Sequence, residues 1–334
     1  MTLASLVAAA LFLGVIAYAL LGGADFGSGF YDLTAGGDRR GAELRGLIDH
    51  SIGPVWEANH VWLIYILVMW WTGFPGAFAA ATTTLFIPLM LALAGIILRG
   101  ASFAFRKYSA TMAQARLFGA IFAGSSVITP FFLGTVAGAI ASGRVPKAGY
   151  GDRVGSWINP TSLVGGCLAV GTCVFLAGVF LTADATRAGD VELAETLRTR
   201  TLVVAMVTGM IVFAGLYPVS HDAPTLTNGL LTHASPLLVI AALAGLAATV
   251  LVYRRSYSVA RLAAAGAVGS VIAGWGVGQY PWMLVDEVTI NDAAGASATL
   301  AGLLVVVAIA GVIVLPALGY LLWLTQTEAW TPRH

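Results

Sequence analysis

Glu57 lies in the run Ser51-Ile-Gly-Pro-Val-Trp-Glu-Ala-Asn-His-Val-Trp-Leu63, at the edge of a stretch too apolar to hold a carboxylate without cause. An ionisable group in a membrane helix costs roughly 2.5–3.5 kcal/mol on insertion scales, so such groups usually face the bundle interior and mark a proton, ion or substrate path. A carboxyl partly withdrawn from water holds a proton near neutral pH and can pass it on, so proton transfer is the chemistry this position supports. Pro54 fits the first turn of a helix, which puts Glu57 and His60 on one face with Trp56, Asn59 and Trp62 around them. A plainer reading stands beside it: a half-buried Glu satisfied by Asn59, His60 or a basic residue, with the tryptophans forming the aromatic belt of a membrane boundary.

Other polar groups add candidates. In Gly22-Gly-Ala-Asp-Phe-Gly-Ser-Gly-Phe-Tyr-Asp32 the chain is expected to end its first helix, with glycines 23, 27 and 29 around Asp25. Asp25 then either caps that end while the glycines pack against neighbours, or takes part in protonation or in binding a partner's polar group. The segment lacks G-x-G-x-x-G spacing and a Lys-Ser/Thr pair, which argues against a nucleotide. Arg99 and Arg106 end the third apolar stretch on the same side as Glu57. The positive-inside rule and the helix C-terminus account for them, and an ion pair from either to Glu57 or Asp25 is open.

A bis-histidine haem needs two ligands at similar depth on facing helices. His50 with His60, and His221 with His233, are the formal pairs, and His60 has no obvious partner across a bundle. No metal is therefore assigned to this chain, and any redox centre is expected on another subunit. Cys167 and Cys173 are six residues apart on different faces of one helix, so neither a disulfide nor a metal site is expected. Asp184, Asp286 and Glu287 read as solvated loop charges, the latter two in an acidic, amphipathic outer connection over 279–297.

Of the 334 residues 58% are hydrophobic and 10% charged, with mean hydropathy +0.87, so lipid surrounds most of the chain. Nine stretches are long enough to cross as helices: 4–23, 53–72, 76–98, 117–141, 160–184, 199–219, 232–253, 260–280 and 299–324. With nine spans, fourteen of the 17 Lys and Arg fall on the side of the C-terminus and three on the other. The C-terminus is then cytoplasmic and the N-terminus external. The first stretch has no basic n-region or Ala-x-Ala-like site, so it reads as a retained helix, with the mature chain starting near Met1. The polar connections are loop-sized, which makes 1–334 one membrane domain. No Gly/Pro-broken pair recurs in two halves, which weakens a carrier reading.

These residues resemble subunit II of the cytochrome bd-type quinol oxidases (the CydB family). The resemblance rests on Gly-Ala-Asp25-Phe-Gly-x-Gly, on Ser-Ile-Gly-Pro54-Val-Trp56-Glu57-x-Asn59-x-Val-Trp62-Leu, on Phe74-Pro75, and on Leu98-Arg99 leading to Arg106. Leu197-Arg-Thr-Arg200 and the nine-helix layout agree more weakly. The resemblance implies an all-α fold of two four-helix bundles plus one helix, in the bacterial plasma membrane, paired with a haem-bearing subunit I. It implies quinol oxidation coupled to O2 reduction to water, with protons drawn from the cytoplasm. Haems b and d and the quinol site belong to subunit I, while subunit II can hold a structural quinone. Small accessory subunits and membrane lipid complete the partners, and nucleic acid is not among them. The proton-path carboxylate of that family falls on Glu57, with Asp25, Trp56, Asn59, His60, Trp62, Arg99 and Arg106 as its surroundings. At Ala104 this chain departs from the family, where many members place an Asp. The rival readings are a proton-coupled secondary transporter and a purely structural membrane partner in which Arg99 or Arg106 holds Glu57.

Overall fold

The computed structural model describes residues 2–37, 41–52, 56–109 and 111–326, without the side chains of residues 52, 56–58, 107, 322, 325 and 326. Its long elements are helices: α1 (Leu3–Leu33), α2 (Ala42–Ile52), α3 (Trp56–Gly73), α4 (Pro75–Thr84), α5 (Phe86–Lys107), α6 (Met112–Ala141) and α7 (Pro160–Arg187). They continue as α8 (Val191–Asp222), α9 (Pro224–Leu231), α10 (Ser235–Tyr253), α11 (Tyr257–Gly278), α12 (Ile290–Ala293) and α13 (Ser297–Gln326). Strands β1 (Trp282–Leu284) and β2 (Val288–Thr289) form a small antiparallel hairpin between α11 and α12.

Polar residues start the helices where the chain enters the apolar layer. Thr2 accepts from the Ser5 amide, Thr111 from Gln114, Asn159 from Ser162 ahead of Pro160, and Asp190 from Leu193. Each satisfies an amide that would otherwise enter lipid unpaired. Among the described residues eight helices are long and apolar enough to cross a membrane, or nine if α3 and α4, bent by 118° at their junction, count as one span. The all-α polytopic expectation holds at that level. α1 is the central helix and lies against α3, α6, α7 and α11, whereas α8 and α13 bury little of themselves and present Val, Leu, Ile and Phe outward. An outward apolar surface is what lipid requires.

Three sequence expectations are corrected. The first helix does not end near Gly23 but runs on to Leu33, so Asp25 sits inside it and caps nothing. Gly27 and Gly29 do not break it, because they face neighbours that leave no room for a side chain: a Cβ at Gly27 would lie 1.9 Å from the Cys173 carbonyl oxygen and one at Gly29 2.3 Å from the Ser126 Cβ. The third stretch, read as 76–98, is two helices; Pro75 restarts the chain as the short α4, and α5 begins only at Phe86. The outer connection is folded and not merely solvated: Thr225 donates to the Asp286 carboxylate, and the Lys147 amide to Glu287. Residues 53–55, where Pro54 was expected to open a helix, lie outside the described residues.

In the connection between α6 and α7 a carboxylate holds a local turn. The Asp152 carboxylate accepts from the Val154 and Gly155 amides at 2.8 and 2.6 Å, which holds its carboxyl below the usual carboxylate range. A depressed folded-state value contributes stability above the unfolded pKa and loses it as pH falls through the folded one. Amide exchange at Val154 and Gly155, corrected for intrinsic rate, is expected to speed up only below about pH 4, near the reference Asp value. In Asp152→Asn that acid step should vanish; its persistence would assign it to another group.

Candidate functional site

On α1, Asp25 and Asp32 are seven residues apart, and on α5 so are Arg99 and Arg106. Seven residues are two turns, so each pair projects from one face, and the two helices run in the same direction. The result is a two-rung ladder of ion pairs. In the inner rung Arg99 Nη2 donates to Asp25 Oδ1 at 2.6 Å and to the Asp25 carbonyl at 3.1 Å, and Nε donates to Ser126 Oγ on α6 at 3.0 Å. The Arg99 and Asp25 side chains are 1% and 2% exposed. Two charges so deep in an apolar interior persist only when each is paired and hydrogen-bonded, since desolvation otherwise outweighs their attraction. The guanidinium also sits 4.9 Å from the ring centres of both Phe26 and Phe122.

Small residues make the reach across α6 possible. A Cβ at Gly29 would lie 2.4 Å from Ser126 Oγ, so α1 and α6 touch closely and the Arg99 side chain passes to α1 over that seam. In the outer rung Arg106 donates to Asp32 Oδ2 and to Asp49 Oδ1 on α2, both at 2.5 Å. Arg45 adds Asp32 Oδ1 at 2.9 Å and the Gly36 carbonyl at 2.6 Å. A cavity of 560 Å³ opens beside this rung, bordered by Asp32, Arg45, Arg106, Arg116 and Gly119. The arrangement is a polar column that enters the membrane from the Arg-rich end and extends about 10 Å along α1 between its two carboxylates.

The α3 residues meet this column at its inner rung. The His60 ring lies 6.1 Å from Phe26, the ring beneath Arg99. Asn59 is buried. Trp62 is half-buried and packs on Tyr65 at 6.2 Å, and Tyr65 in turn donates to the Ala10 carbonyl on α1. Trp56 and Glu57 belong to the first turn of α3, and their side chains lie outside the described residues. Of the sequence candidates, the fold thus gathers Asp25, His60 and Arg99, places Arg106 two turns nearer the Arg-rich end, and leaves Trp62 to the packing of α3 on α1.

Two sequence readings of charge change. The ion pair left open for Arg99 is with Asp25, while Arg106 takes Asp32 and Asp49. Asp184, read as a solvated loop charge, is a junction: Arg187 and Arg261 both donate to its Oδ1, and Ser51 on α2 to its Oδ2 at 3.0 Å. Sequence reasoning missed Asp32 and Asp49 as members of the site. The signal was there for Asp32, because the offset from Asp25 to Arg99 equals that from Asp32 to Arg106, 74 residues each. His221 and His233 bond their own helix-end neighbours, and among the described residues no three His, Cys, Asp or Glu side chains gather as a metal site.

The family model for cytochrome bd terminal oxidase subunit II matches residues 3–325. The cytochrome bd ubiquinol oxidase subunit 2 of Bacillus subtilis (strain 168) is 30% identical over 176 residues, 52% of this chain and 50% of that one. The cytochrome bd-I ubiquinol oxidase subunit 2 of Escherichia coli (strain K12) is 29% identical over 175 residues, 50% of this chain and 45% of that one. The aligned stretch spans about half the length of these curated relatives. Among solved structures, a chain of the bd oxidase from Geobacillus thermodenitrificans shares the fold with a TM-score of 0.81 at 23% identity, over 97% of this chain and 98% of that one.

Proposed function

The chain belongs to the family of cytochrome bd terminal oxidase subunit II, and from that membership we propose that it is the non-haem membrane subunit of a quinol:O2 oxidoreductase, paired with a haem-bearing subunit I. The observation that carries the reading is a family match running from residue 3 to residue 325. In this reading haems b and d, the quinol site and O2 reduction reside in the partner, and the chain does not catalyse alone. We assign no described residue to the structural quinone. The protein lies in the bacterial plasma membrane with its Arg-rich end and C-terminus in the cytoplasm and its N-terminus outside, its long helices forming two four-helix bundles plus one helix.

Glu57 is the proton-path carboxylate. It opens α3 at the end of the molecule where Arg45, Arg106 and Arg116 border the cavity, one turn before His60. Arg99 and Arg106 direct their hydrogen bonds among the described residues to Asp25, Ser126, Asp32 and Asp49.

Gentle purification from the native membrane should bring down a second polytopic subunit with haem b and d bands in the reduced-minus-oxidised spectrum. In that complex Glu57→Gln is expected to slow quinol-driven O2 consumption about 100-fold, the loss typical of a positioned proton donor, with haem content intact. A colourless chain that purifies alone would remove the oxidase reading in favour of the transporter. Full haem content with unchanged turnover would remove only the role of Glu57.

A further inference from the structure

Two buried polar atoms on α1 have no hydrogen-bond partner among the described residues: the Tyr18 hydroxyl and Oδ2 of Asp25. The first can donate, and the second, on an ionised carboxylate, only accepts. A buried polar atom left unpaired pays its full desolvation, so two complementary orphans on one face call for something between them. An ordered water making two to four hydrogen bonds is how proteins usually satisfy such atoms.

The local geometry makes room for it. Tyr18 and Asp25 are two turns apart on one face of α1, about 10 Å along the axis. Helical side chains normally lean toward the N-terminus. The Tyr18 ring instead lies over Gly22, where an added Cβ would meet Cε2 at 2.9 Å and Cδ2 at 3.0 Å. That directs the hydroxyl toward the level of Asp25. Both residues are buried, Tyr18 9% and Asp25 4% exposed.

We infer that one ordered water lies between Tyr18 and Asp25, accepting from the Tyr18 hydroxyl and donating to Asp25 Oδ2. The water completes the carboxylate that Arg99 holds by its other oxygen. It also carries the polar column past the ion-pair ladder to the level of Tyr18, two turns deeper along a helix that is otherwise apolar. The inference uses only atoms of this chain and stands apart from the oxidase reading.

Two measurements test it. A density map of the protein in its native assembly, at a resolution that shows waters, should hold a peak within about 3.2 Å of both Tyr18 Oη and Asp25 Oδ2. No peak there, or Oη bonded directly to Oδ2, overturns the site. The second is the sign of a stability change. Tyr18→Phe removes a donor that the water needs, so its unfolding midpoint should fall by a few degrees. If the hydroxyl were merely orphaned, deleting it would leave the midpoint unchanged or raise it, and that result also overturns the site.

Discussion

Arg99→Met is expected to destabilise the protein by about 3–5 kcal/mol, the cost of leaving one member of a buried ion pair without the other. The reason is specific to this position. Arg99 and Asp25 are the most deeply buried charged pair among the described residues, and Arg99 alone serves Asp25 Oδ1, the Asp25 carbonyl and Ser126 Oγ. Removing the cation strands a carboxylate beside the Phe26 ring, where no other described cation replaces it. Asp25→Asn should cost a comparable amount for the reciprocal reason. The double variant Asp25→Asn, Arg99→Met should recover much of either loss, because the group left behind is then neutral and can bond. Unfolding midpoints of the four proteins in detergent give the coupling energy directly. Additive losses in the double variant would mean that the pair contributes little and that each residue acts separately.

Gly27→Ala is expected to have an effect of similar size and of a sign opposite to helix propensity. Alanine in place of glycine within an exposed helix normally gains about 0.8–1.0 kcal/mol. At Gly27 the new Cβ would lie 1.9 Å from the Cys173 carbonyl oxygen, 2.4 Å from its carbon and 2.8 Å from the Ala177 Cβ. Backbone atoms cannot rotate aside, so α1 and α7 must separate, and with them the seam that holds Asp25 at its depth. Overpacking of this kind typically costs about 1–3 kcal/mol and more when backbone must move. Gly124→Ala, on α6 with nothing within 4 Å of the added carbon, is the matched control and should be neutral or stabilising. Equal midpoints for the two variants would mean that α1 and α7 are not in close contact.

Both expectations depend on α1, and α1 is where sequence reading was weakest. Three glycines around an aspartate read as the end of a helix, since glycine in isolation loosens helices and aspartate favours caps. In the membrane that inference fails. Unpaired backbone is too costly in lipid for a helix to stop early, and glycine there marks close approach to another helix. The same shift explains Asp184, which sits at the end of an apolar stretch and looks solvated until α2 and α11 bring Ser51 and Arg261 to it.

The polytopic all-helical class, the approximate places of the long helices and the family were all legible in the chain itself. These follow from local quantities: the length of apolar runs and a motif contiguous in residues 51–63. Which carboxylate meets which guanidinium was decided only by the tertiary structure. The heptad spacing of Asp25 with Asp32 and of Arg99 with Arg106 allowed a ladder but did not require one, because pairing depends on the relative rotation and distance of two helices 74 residues apart in the chain. That distance is bridged by α6, which packs on both helices and meets α1 at Gly29 against Ser126 and α5 at Gly95 against Thr129. Such contacts have no signature along the sequence, since a glycine that admits a neighbour looks the same as one that does not.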